Sequence, residues 1–101
     1  MNVRDNAPRT EVHRDRERIL AVASNHGAHH VRVFGSVARG ETTPASDIDL
    51  LVEFEPSRSL LDHAALVDDL ELLLGRKVDV VSAKALKPEL RDHILREAVP
   101  L

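Results

Sequence analysis

Asp47 and Asp49 stand two residues apart at the head of an apolar run, Ile48 to Phe54. In an extended strand their side chains point to one face, with Cα atoms about 6.5 Å apart. Carboxylates so placed can share hard divalent cations such as Mg2+, which prefer oxygen ligands and keep places for phosphate oxygens. Taken alone, the pair also suits a solvated strand edge or a turn. Asp79 alters the balance, because it is a lone acid inside Val78-Asp79-Val80-Val81. Burying such a charge unpaired is costly, and short strands avoid it. An edge position or an arginine partner would account for it structurally. On a strand beside Asp47 and Asp49 it would complete a three-carboxylate cluster whose repulsion calls for a divalent ion.

Gly35-Ser36 closes the short apolar run Val31 to Phe34 and opens a helical turn through Ala38. Gly35 would let the backbone approach a phosphate, Ser36 would offer a hydroxyl, and the free N–H groups of the turn would face the anion. A tight turn alone would use the same two residues. Arg39 follows within reach of a triphosphate, since guanidinium pairs well with phosphate oxygens; a solvent-facing loop arginine is its other role. The six histidines, among them His29-His30 and His63, show no metal-ligand spacing and read as solvated or half-buried.

Several elements must position these groups. Residues 1–9 read as a flexible lead-in, and residues 10–101 are expected to form one domain. From an N-cap at Thr10, Val12, Ile19, Leu20 and Ala23 share one helical stripe, with a stop near Asn25 to Gly27. Val31 to Phe34 and Ile48 to Phe54 read as strands, joined through a turn-rich loop over Thr42, Thr43, Pro44, Ala45 and Ser46. Ser59 with Asp62 resembles a capping box, and Leu60, Ala64, Val67 and Leu74, widened by Leu66, Leu70 and Leu73, form the apolar face of a second helix closed by Gly75. Val78 to Val81 is a third strand. Pro88 opens a last helix on which Leu90, Ile94, Leu95 and Ala98 face the core, and Pro100 ends it. The fold expected is α/β (α+β), with a small mixed three-stranded sheet flanked by helices.

With 101 residues, 43% of them apolar and 31% charged, the composition is that of a soluble globular domain. No cysteine is present, so neither disulfides nor thiolate zinc sites are available, and a reducing cytoplasm is the expected setting. No apolar run approaches the roughly 20 residues of a membrane span. The net charge of -3, and aromatics limited to Phe34 and Phe54, disfavour a grip on long nucleic acid.

Gly35-Ser36, ten intervening residues, Asp47-Ile48-Asp49 and a separate aspartate on a later strand together resemble the DNA polymerase beta-like nucleotidyltransferase superfamily. The short length, with GSVARGE and SDIDLLVEF, looks like its minimal nucleotidyltransferase (MNT) branch. The resemblance runs from about Val31 to Leu101. It implies a nucleotidyltransferase fold and a transfer of a nucleoside monophosphate, AMP from ATP, to an acceptor hydroxyl. On that basis Asp47 and Asp49 hold two Mg2+ ions. Asp79 ligates the catalytic one and helps deprotonate the acceptor, while Gly35 and Ser36 hold the triphosphate, with Arg39 placed beside them by its position just past the turn. Many members of this branch are encoded beside a HEPN ribonuclease toxin and some resemble antitoxins, so the resemblance implies an antitoxin in a hetero-oligomer with such a toxin. Transfer to a small molecule or an RNA end, or neutralisation of a partner by binding alone, are the alternatives. Larger relatives carry extra acceptor-binding domains and none is expected here, so a partner, a second copy or a shallow surface is expected to hold the acceptor.

Overall fold

The computed structural model of the protein describes residues 12–40 and 47–101. The lead-in over residues 1–9, the Thr10 cap and the loop from Thr42 to Ser46 lie outside the described residues. Helix α1, Arg16–Asn25, continues from a helical turn over residues 12–14. The expected stripe is the one that packs: Val12, Ile19 and Ala23 are buried, and Leu20 lies partly buried against them. The helix ends before Gly27, whose φ of 73° reverses the chain into strand β1, Ala28–Phe34.

Strand β1 is longer than its apolar run because a bulge lies inside it. His29 pairs with Glu53 and Arg32 with Leu51, so two residues of β1 oppose the single Val52. His30, with φ 52°, takes the left-handed conformation at this point. The extra residue resets the alternation, so that Ala28, Val31 and Val33 all reach the core while both histidines stay exposed.

A short helix, α2 (Gly35–Arg39), leads toward β2 (Ile48–Phe54), which lies antiparallel to β1. Helix α3, Leu60–Leu74, then crosses to β3, Val78–Ser82, parallel to β2. After a 3-10 turn, Ala83–Ala85, helix α4 spans Pro88–Glu97, and β4, Val99–Pro100, closes the sheet in the order β3-β2-β1-β4. The sheet therefore has four strands where three were expected. The fourth is only two residues long, which leaves no periodicity to read, and Pro100 is tolerated because it sits on an edge strand. Among the described residues no helix is long and apolar enough to cross a membrane.

Ile48, Leu50 and Val52 of β2, with Val78 and Val80 of β3, share one apolar cluster with Leu66, Leu70 and Leu74 of α3. The capping box forms as expected. Ser59 Oγ accepts from the Leu61 N–H, and the Ser59 N–H donates to Asp62 Oδ2 at 2.9 Å. Gly75 terminates α3 with φ 66°.

Two expectations about helix faces fail. Leu60 is 83% exposed and Ala64 is also exposed, so the buried stripe of α3 is Leu66, Leu70 and Leu74, flanked by Val67 and Leu73. Helix α4 buries no residue, and Leu90 and Leu95 are 53% and 37% exposed. It packs against α2, at the end of the sheet, instead of over the core. Apolar spacing gives a helix face but not what covers it. Accordingly, Leu70→Ala should cost about 2–5 kcal/mol in urea unfolding, as a buried leucine does. Leu60→Ala should stay within about 0.5 kcal/mol of wild type.

Candidate active site

Strand β2 places its odd-numbered side chains on the face opposite the main apolar cluster, so Asp49 lies on the face away from Ile48 and Leu50. Strand register determines its neighbours. Asp49 pairs with Asp79 across the parallel β2–β3 ladder and with Phe34 across the antiparallel β1–β2 ladder. The first pairing aligns two carboxylates on adjacent strands. The second brings Gly35, the residue after Phe34, against Asp49. A Cβ built on Gly35 would fall 2.3 Å from Asp49 Oδ2. With φ +74° as well, that position is one only glycine occupies without strain.

Asp47 immediately precedes the first residue of β2 and is not part of its ladder. It is half-buried, as is Asp49, whereas Asp79 on the edge strand β3 is exposed. Asp79 thus takes the edge position weighed for it, where no burial cost arises, and the register sets it beside Asp49.

Burial is the main reason the Asp49 carboxyl is pushed up to about 6. The Asp79 charge and a hydrogen bond to Asp79 raise it further, Asp47 adds to the rise, and Arg39 opposes it. Among the described residues no three His, Cys, Asp or Glu side chains form a ready-made cation cage. The arrangement is an Asp49–Asp79 pair with Asp47 acting on it electrostatically. Its donors are all hard oxygens and its negative charge is in excess. Both properties fit Mg2+, and Asp47, Asp49 and Asp79 are the residues that could hold it.

Helix α2 starts at Gly35 and is capped after Arg39 by Gly40, in a left-handed conformation with φ 74°. Ser36 is partly buried in its first turn, and Arg39 lies in its last. Sequence reasoning missed the residue that holds this turn. Glu97, in the last turn of α4, accepts the Gly35 N–H at 3.0 Å through Oε1 and the Arg39 guanidinium at 2.7 Å through Oε2. Nothing in the spacing could have shown it, since Glu97 lies 62 residues beyond Gly35 and is one acid among several on a charged helix.

A mixed sheet flanked by helices is the fold that the resemblance implies, and the comparisons agree. Residues 16–101 match the nucleotidyltransferase domain family. Protein adenylyltransferase MntA of Thermococcus cleftensis is 45% identical over 73 residues, covering 72% of this chain and 74% of its own. A candidate protein adenylyltransferase of Methanocaldococcus jannaschii is 44% identical over 84 residues, covering 83% of this chain and 90% of its own. The solved structure of a candidate minimal nucleotidyltransferase superposes with a TM-score of 0.84 at 55% identity, covering 92% of this chain and 95% of that one. A toxin–antitoxin crystal structure with AMP-PNP shares the fold, with a TM-score of 0.73 at 20% identity over 83% of this chain and 69% of that one. The chain belongs to the nucleotidyltransferase domain family, in its minimal branch, and is an enzyme of nucleotidyl transfer.

Gly35→Ala should destabilise the fold by about 1–2 kcal/mol, the cost of a left-handed residue with a side chain. It should also lower transfer by about tenfold or more, by pushing the Asp49 carboxylate aside. Denaturant unfolding and initial rates measure the two effects. A second outcome concerns pH. The Arg39 hydrogen bond, with that of the Gly35 N–H, holds the Glu97 carboxyl below its ordinary value of 4.5. A depressed carboxyl stabilises the fold above its unfolded value and loses that contribution as pH falls through the folded one. The melting temperature of wild type should thus exceed that of Glu97→Gln at pH 7, with the difference closing at acid pH below 4.5.

Proposed function

We propose that this chain transfers AMP from ATP, with two Mg2+ ions, to a hydroxyl group on a partner protein, and that the partner is a toxin of the HEPN ribonuclease class which the transfer silences. The observation that carries the reading is the meeting of Gly35 with Asp49, and of Asp49 with Asp79 in register, on one end of one sheet. The names of the similar proteins, protein adenylyltransferases, support a protein acceptor, and the toxin–antitoxin structure with AMP-PNP supports a toxin and an adenine nucleotide.

On this reading Asp47 and Asp49 are the metal ligands for both ions, and Asp79 is a ligand for the catalytic one. When bound, the ions stabilise charge on the attacking and leaving oxygens of an in-line displacement. Gly35, with no side chain in the way, lets the backbone N–H groups of α2 meet the triphosphate. Ser36 adds a hydroxyl and Arg39 a guanidinium that neutralises phosphate charge. Asp79, exposed on the edge strand, faces an acceptor arriving from solvent and takes the proton of its hydroxyl. The acceptor oxygen then bonds to the α-phosphorus, the bond from that phosphorus to the β-bridging oxygen breaks, and pyrophosphate leaves. The cytoplasm, where ATP and Mg2+ are at hand, is the setting this reaction needs.

Incubation with α-labelled ATP, Mg2+ and the protein encoded beside this chain should label that protein at a hydroxyl side chain. Asp49→Ala, or excess EDTA, should reduce labelling to background. Label transfer that is absent in wild type, or unaffected by Asp49→Ala, refutes the proposal. Neutralisation of the partner by Asp79→Asn as fully as by wild type would favour inhibition by binding.

A further inference from the structure

Two groups assigned above to the triphosphate already hold an anion. One Glu97 carboxylate oxygen takes the Gly35 N–H and the other takes the Arg39 guanidinium. A carboxylate shared between a backbone amide and a guanidinium makes the charge-assisted hydrogen bonds that a phosphate's oxygens would make there. The Glu97 side chain is 18% exposed, so it is set into the turn instead of lying loosely over it. Yet the helix that carries it buries no residue, and core packing does not hold Glu97 in place. Carboxylate and triphosphate cannot accept from the same Gly35 N–H at once.

We propose that Glu97 is an intramolecular competitor for the nucleotide triphosphate at Gly35 and Arg39, and that it thereby sets the affinity for nucleotide. The inference rests on the nucleotidyltransferase reading of this site and adds to it the residue that tunes KM. Nucleotide binding breaks the two Glu97 hydrogen bonds and turns the side chain out toward solvent. The cost of that exchange is subtracted from nucleotide affinity. The opposite role, Glu97 holding Arg39 ready for phosphate, predicts the opposite sign for every substitution.

Calorimetric titration of the full chain with ATP and Mg2+ tests the proposal. Glu97→Gln should bind ATP about threefold to tenfold more tightly than wild type, the range of a partly exposed charged contact. In initial rates, KM for ATP should fall by the same factor while kcat stays unchanged. Glu97→Asp keeps the charge but withdraws it by one methylene. It should show part of the gain, and it reads the same contact should Glu97→Gln fold poorly. Glu89→Gln, in the first turn of the same helix, should leave ATP affinity unchanged. Equal or weaker binding by Glu97→Gln, or an equal gain from Glu89→Gln, overturns the competitor role while leaving the enzymatic reading intact. Failure of both wild type and Glu97→Gln to bind ATP overturns the two together.

Discussion

Carboxylate repulsion at one register position is the constraint on which the rest of this structure depends. Asp49 lies on the second strand of the sheet, partly out of water, with Asp79 directly across the parallel ladder and Asp47 two residues before it. Such an arrangement opposes folding, since burial, and then the charges of Asp79 and Asp47, raise the cost of charging Asp49. The fold tolerates it because the opposite face of the same strands is apolar. Ile48, Leu50, Val52, Val78 and Val80 pack into the main cluster with α1 and α3. A strand alternates its faces, so the same pleat that buries the valines holds the acids together on the other side.

The end of the chain is joined to this centre from two sides. Glu97 reaches the start of α2, and two residues later Val99 and Pro100 pair with Val33 and Arg32 of β1. The Leu101 N–H donates to the Val31 carbonyl, and Arg16 Nε donates to the Leu101 carbonyl at 2.8 Å. Helix α4 is thus anchored at its C-terminal end, where it meets the turn at Gly35, while its exposed Leu90 lies nearer the other end. A helix held by polar contacts at one end can shift at lower cost than one held by buried leucines.

Local signals account for what was legible before the fold was known. The stop at Gly27, the box at Ser59 and Asp62, the close of α3 at Gly75 and the start of α4 at Pro88 each depend on residues within one or two turns of each other. The acids were legible by type and spacing. The resemblance built on them led to the family that the comparisons bear out. The bulge at His30, the two-residue β4 and the exposure of α4 were not legible, because each depends on what the chain meets elsewhere. Asp79 was singled out as a lone acid in an apolar strand; it takes the edge position weighed for it and also stands in register with Asp49.

The sequence by itself determined which groups are candidates for the site, Gly35, Ser36, Arg39, Asp47, Asp49 and Asp79, on elements whose order and most of whose boundaries follow from capping, turns and apolar period. Only the tertiary structure decided how they face one another. Residue spacing along a strand cannot state which strand lies alongside or in what register, and a one-residue slip would move Asp79 to the opposite face. Nor could spacing reveal that Glu97 bonds the turn at Gly35 and Arg39. The Gly35 contact joins atoms 62 residues apart, and only the folded backbone brings them within a hydrogen bond's length.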